Sequence, residues 1–125
     1  MIELINVRGW PQDASHFNFD EFIPEEDASI IKILRAAGAS KSPQLRLIGS
    51  AADVYSVFMA KTTQPQSVMQ LETQSHNFGI TRNAYNRNCT SGGSSGGEGA
   101  LVAMRGSTIG VGTDIGGSIR NPAAL

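Results

Sequence analysis

A chain of 125 residues with 40 % hydrophobic content is long enough for one small domain and too short for two. A net charge of −1 without a basic cluster gives no electrostatic ground for binding nucleic acid or a membrane surface, and no apolar run approaches the roughly 20 residues that span a bilayer. The single cysteine, Cys89, excludes an internal disulfide framework and fits a reducing compartment; with no signal-peptide pattern in residues 1–6, a soluble cytoplasmic protein is the default expectation.

In chain order, Ile2, Leu4 and Ile5 begin a β-like pattern that ends in the turn Arg8-Gly9-Trp10-Pro11. Residues 12–26 are polar and acidic, with scattered phenylalanines and an interruption at Pro24. Asp27 is suited to cap a helix whose apolar residues Ile30, Ile31, Ile33, Leu34 and Ala37 share a face, and Gly38 is suited to stop it. Residues 40–56 show no sustained period, and Val57-Phe58-Met59-Ala60 reads as a buried strand. Val68, Met69 and Leu71 predict a helix over residues 65–74, with Pro65 near its first position. His76 to Thr90, rich in asparagine, reads as loop. A helix is predicted from Glu98 to Arg105 with Gly106 as its stop, then a short buried strand over Ile109-Gly110-Val111-Gly112, and the first turn of another helix over residues 121–125.

Ten of the fourteen glycines lie between Gly92 and Gly117, where they build two serine-bearing loops. The first is Ser91-Gly92-Gly93-Ser94-Ser95-Gly96-Gly97-Glu98-Gly99 and the second Thr113-Asp114-Ile115-Gly116-Gly117-Ser118-Ile119-Arg120. Glycine lets the main chain take positive φ and lets its N–H groups approach another atom closely, so two such loops point to a nucleophile with an oxyanion site. Competing readings fit less well. A flexible linker would not lead straight into an apolar helix. A Walker-type phosphate loop lacks its Gly-Lys-Ser/Thr ending. In Gly110-Val111-Gly112-Thr113-Asp114-Ile115-Gly116 the glycines are spaced one residue too far for a dinucleotide fingerprint, which leaves a nucleotide-binding domain as a distant reading. Gly92-Gly93-Ser94-Ser95-Gly96 fits G-x-S-x-G, but His16 and His76 both precede it, whereas an α/β-hydrolase histidine follows its serine.

Ser94 and Ser118 stand 24 residues apart, separated by helix, glycine, short strand, aspartate and Gly-Gly-Ser. In this arrangement the chain resembles the amidase signature family, which includes fatty-acid amide hydrolases, acetamidases and the A subunit of glutamyl-tRNA amidotransferase. The resemblance is close over Phe78 to Ala124. It extends back through Ala60-Lys61-Thr62-Thr63-Gln64-Pro65-Gln66 and Leu34-Arg35-Ala36-Ala37-Gly38-Ala39 to Ile5-Asn6-Val7-Arg8-Gly9. It implies an α/β fold, as a fragment of an α/β/α sandwich around a mixed central sheet, acting on a small-molecule amide without metal or organic cofactor. Ser118 matches the nucleophile that forms an acyl-enzyme, and Ser94 the bridging serine, held by a cis peptide, that relays a proton. The backbone N–H groups of Ile115, Gly116, Gly117 and Ser118 match the oxyanion hole, where one lost donor costs about 3–4 kcal/mol in the transition state. Ser95, Asp114 and Arg120 match supporting positions that tie the loops together.

The family's third catalytic group is a lysine, and here Ile2 occupies its position, with Glu3 at the neighbouring acidic one. Lys32, Lys41 and Lys61 do not match it. Isoleucine cannot accept a proton, so this chain is expected to hydrolyse amides very slowly or not at all. Residues 40–56 read as an insertion between elements that adjoin in the family, and the domain as truncated at both ends. An impaired amidase and a non-catalytic remnant that at most associates with a partner therefore both stand.

Overall fold

The computed structural model describes residues 4–12, 15, 22–39 and 58–125. The expectations attached to Ile2, Glu3, His16, Lys41, residues 40–56 and Val57 lie outside the described residues.

Helix α1 spans Ser29–Ala36. Ile31 points fully inward and Leu34 is half-buried, while Ile30, Ile33 and Ala37 are exposed, so the buried stripe is narrower than the predicted face. Asp27 is not the cap. Ala28 holds that position without a side-chain bond, and the Asp27 carboxylate instead accepts the Arg8 N–H at 2.7 Å and pairs with Arg35 Nε at 2.9 Å. The far end follows expectation: Gly38 takes φ 104°, its N–H donates to Arg35 O at 3.0 Å, and Ala39 N–H donates to Leu34 O at 2.8 Å. These two bonds satisfy carbonyls that the last turn would otherwise leave open.

Ile31 meets Ile5 and Val7 in a small buried apolar cluster, with Leu4, Trp10, Ala28, Phe58 and Val111 packed around it. Residues 4–8 reach this cluster as a turn rather than the predicted strand. Ala28 N–H, at the start of α1, donates to Asn6 O at 2.9 Å and ties this segment to the helix beside the Arg8–Asp27 bond. Phe58-Met59-Ala60 and Ile109–Gly112 also carry no strand among the described residues. An apolar run becomes a strand only where a partner edge accepts its ladder bonds. Val111 N–H, for one, donates to a side chain, Glu98 Oε1, at 3.2 Å.

The helix predicted over residues 65–74 is a single 3₁₀ turn, Gln66–Val68, in which Ser67 and Val68 take φ 58° and 51°. The chain then extends into β1 (Gln74–Ser75), which pairs antiparallel with β2 (Gly79–Ile80), Gln74 opposite Ile80 and Ser75 opposite Gly79. An isolated bridge joins Arg82 to Thr90. Strands of two residues are too short to show alternation, which is why this stretch reads as loop in the sequence.

Helix α2 spans Gly96–Ala103 and begins two residues before the predicted start. Its three glycines each cost about 1 kcal/mol relative to alanine in a helix, so packing rather than propensity holds it. A Cβ on Gly97 would lie 2.6 Å from Thr63 N, and one on Gly96 would collide with Thr73 and Ser91. The left-handed residue that ends α2 is Arg105 (φ 59°), not Gly106, with Gly106 N–H donating to Leu101 O at 2.9 Å. Helix α3, Arg120–Ala124, lies against α2, close to the predicted last turn.

Candidate active site

The first serine loop is held from several directions. Gly92 takes φ 72°, the Gly93–Ser94 peptide is cis, and a Cβ on Gly93 would lie 2.7 Å from Glu72 N. Glycine is therefore required at Gly93 by close main-chain approach. Ser91, Ser94 and Ser95 are all buried. Ser95 Oγ stands 3.3 Å from both Thr113 N and Thr113 O, accepting from one and donating to the other. Ser94 is 1 % exposed, and its Oγ has no hydrogen-bond partner among the described residues. A buried hydroxyl left without a partner loses the hydration it would have in water, so such groups concentrate where another chemical group is meant to arrive.

The second loop is organised by one carboxylate. Asp114 Oδ1 accepts from Gly117 N–H at 2.7 Å and from Arg120 Nη2 at 3.0 Å. Its Oδ2 accepts from Ile119 N–H at 3.1 Å, Arg120 N–H at 3.1 Å and Arg120 Nε at 3.0 Å. The Arg120 side chain, then its backbone N–H, hold the Asp114 carboxyl well below the usual carboxylate range, with the Gly117 and Ile119 amides adding to them against a smaller opposing effect of burial. Arg120 is pushed up in return by Asp114.

The two loops meet directly, Ser95 N–H donating to Ser118 O at 3.0 Å. Ser118, two residues before the start of α3, is 6 % exposed, whereas Ile115 is 90 % exposed. Of the four N–H groups expected to form an oxyanion hole, that of Gly117 is already taken by Asp114. Those of Ile115, Gly116 and Ser118 make no hydrogen bond among the described residues. Of the supporting positions, Ser95 lies at the junction, bonded to Thr113 and Ser118, whereas the bonds between Asp114, Arg120 and the Gly117 and Ile119 amides stay within the second loop; Ile2 lies outside the described residues.

Three contributors escaped the sequence reading. Asn121 Oδ1, on α3, accepts Gly93 N–H at 3.0 Å and so ties the first loop to α3. Glu98, 6 % exposed, takes Thr62 Oγ1–H at 2.6 Å and Val111 N–H at 3.2 Å on its two oxygens. A lone acid in a helix of glycines and apolar residues was a legible signal, because a buried charge must find donors. Thr73 is the third; nothing in its local pattern marks it, since its partners lie 19 to 23 residues away.

Among the described residues no helix is long and apolar enough to cross a membrane, and no group of three or more His, Cys, Asp or Glu side chains is placed to hold a metal. A family model described as amidase matches residues 3–125. The chain belongs to the amidase family. It is 42 % identical over 121 residues to the acetamidase of Emericella nidulans, covering 97 % of this chain and 19 % of that protein. Among solved structures, a fatty acid amide hydrolase superposes with TM-score 0.76 at 35 % identity, covering 98 % of this chain and 19 % of that one. The A subunit of glutamyl-tRNA(Gln) amidotransferase from Thermotoga maritima does so with TM-score 0.79 at 26 % identity, covering 99 % and 24 %. These neighbours give the chain an α/β amidase-type fold. The chain spans about a fifth of the length of the curated amidase relatives it matches.

Proposed function

We propose that this chain carries the serine half of an amide-hydrolysing site, within an α/β/α sandwich around a mixed sheet. The observation that carries the reading is the junction of the two loops: Ser95 N–H bonded to Ser118 O, beside a buried Ser94 hydroxyl with no partner among the described residues. Ser118 Oγ is the nucleophile. It attacks the amide carbon of a small-molecule substrate, and the hydroxyl proton passes through Ser94 to the departing nitrogen as the C–N bond breaks. Water then cleaves the acyl-enzyme to the acid and returns the proton to Ser118. The N–H groups of Ile115, Gly116 and Ser118, unbonded among the described residues, receive the developing oxyanion, and Gly117 serves the loop's shape through Asp114.

Ile2 stands where the family has lysine, so no base completes the relay and turnover is very slow. That substitution is the observation behind a second reading, a non-catalytic remnant, and residues 40–56 as an insertion belong with it. A fluorophosphonate probe separates the two. Its phosphorus bonds to Ser118 Oγ, fluoride leaves, and the proton goes to buffer. The expected result is slow labelling confined to Ser118 and abolished by Ser118→Ala. A folded wild-type chain that takes no label on Ser118 supports the remnant.

A further inference from the structure

The strongest unassigned feature is the side chain of Thr73, 1 % exposed, which no part of the proposed chemistry uses. Its hydroxyl stands 2.9 Å from Gly92 O and 3.3 Å from Ser94 O, and it accepts Gly96 N–H at 3.0 Å. One proton is available to donate, so Gly92 O receives the principal bond and Ser94 O shares it. Thr73 itself is fixed through its main chain: its N–H donates to Gly92 O at 3.0 Å, and its carbonyl accepts Thr81 N–H at 2.9 Å.

Gly96 opens α2, and its N–H is one that a helix leaves open at its start. Ser95, at the N-cap position, has its hydroxyl engaged with Thr113 and makes no cap bond. Thr73 supplies the Gly96 N–H with an acceptor from the neighbouring segment. It therefore grips the chain on both sides of Ser94, at the Gly92 and Ser94 carbonyls and at the Gly96 amide. The Ser94 hydroxyl has no bond of its own to orient it among the described residues, so its direction is set by the main chain that Thr73 holds.

We infer that Thr73 is a positioning residue for the Ser94 hydroxyl, acting through the main chain of residues 92–96. This rests on the reading of Ser94 and Ser118 as the reacting pair. The test compares the full chain with Thr73→Val, which keeps the shape and removes the hydroxyl, and Thr73→Ser, which keeps the hydroxyl and removes a methyl group. The readouts are the second-order rate of fluorophosphonate labelling at Ser118, followed by mass spectrometry, and the hydrogen exchange of the Gly96 amide. Thr73→Val is expected to slow labelling and speed Gly96 exchange by roughly tenfold each, the order of one lost buried hydrogen bond. Thr73→Ser, although it opens the larger packing defect, is expected to stay within about threefold of wild type because the bonds persist. If Thr73→Val does not fold, Thr73→Cys, whose thiol is a weak donor and acceptor, takes its place with the same expectation. Equal labelling of wild type and the hydroxyl-less variant overturns the assignment, as does equal loss in Thr73→Ser. No labelling of wild-type Ser118 overturns the hydrolase reading instead, and the catalytic meaning of Thr73 with it.

Discussion

Around Ile31 the chain is held by apolar packing, whereas around Ser94 it is held by hydroxyls, one carboxylate and glycines pressed against neighbouring main chain. Ile5, Val7 and Ile31 are buried with few hydrogen bonds among them. Near Ser94 the buried side chains include Thr73, Ser91, Ser95, Glu98 and Ser118, all polar, with Ala100 of α2 a small apolar one. Apolar burial is non-directional and tolerates some rearrangement, while a hydrogen-bonded loop holds each group at a fixed distance and angle. The region that must aim a hydroxyl uses the directional device, and the region that needs only to stay folded uses the other. Val111 joins them, packing its side chain on the Ile31 cluster while its N–H is held by Glu98.

Ile31→Ala is the largest expected disturbance. A fully buried isoleucine reduced to alanine costs about 3–4 kcal/mol through lost burial and the cavity left behind. Urea unfolding measures this directly, and a loss below about 1 kcal/mol would mean that apolar packing is not what holds that region. Gly97→Ala probes the other region. The new methyl meets the main chain of Thr63, which cannot swing aside as a side chain would, so overpacking exceeds the gain in helix propensity and the net loss is about 2 kcal/mol. A neutral or stabilising outcome in the same urea assay would break the claim that close main-chain contact defines the Ser94 region.

Glycine position and serine spacing marked the two loops in the sequence, and the family resemblance pointed within them to Ser94, Ser95, Asp114, Ser118 and Arg120, whose bonds run within their own loop or to the other one. α1 and α2 were legible from apolar runs, though their starts shifted because Asp27 was drawn to Arg8 and Arg35, and because Gly96 and Gly97 were needed against Thr73 and Thr63. The apolar run Val68, Met69 and Leu71 misled for a related reason. Positive φ at Ser67 and Val68 breaks the helix after one turn, and Met69 and Leu71 are exposed rather than packed. Thr73 and Asn121 were invisible because their partners are distant in sequence, and no local pattern records a bond across 19 or 28 residues.

The smallest predicted effect concerns Asp114, and it sharpens the comparison because it depends on pH, as apolar packing around Ile31 does not. In the folded chain the Arg120 side chain and the backbone amides hold the Asp114 carboxyl below its ordinary value. Folding therefore favours the ionised form. The stability this provides is fully present above the unfolded-state value of about 4 and is lost progressively as pH falls toward the folded-state value. Asp114→Asn keeps one acceptor but turns an amide NH₂ toward donors, so its melting temperature should lie a few degrees below wild type at neutral pH. The gap should narrow as pH falls below about 4, since the wild type then loses the same interaction by protonation. Because Arg120 is 76 % exposed, water screens part of the pair and the shift stays modest. Melting curves across that range decide it. A gap that stays constant from neutral to acid pH would show that the Asp114 charge does not hold the loop, leaving only the shape of its bonds to Gly117 and Ile119.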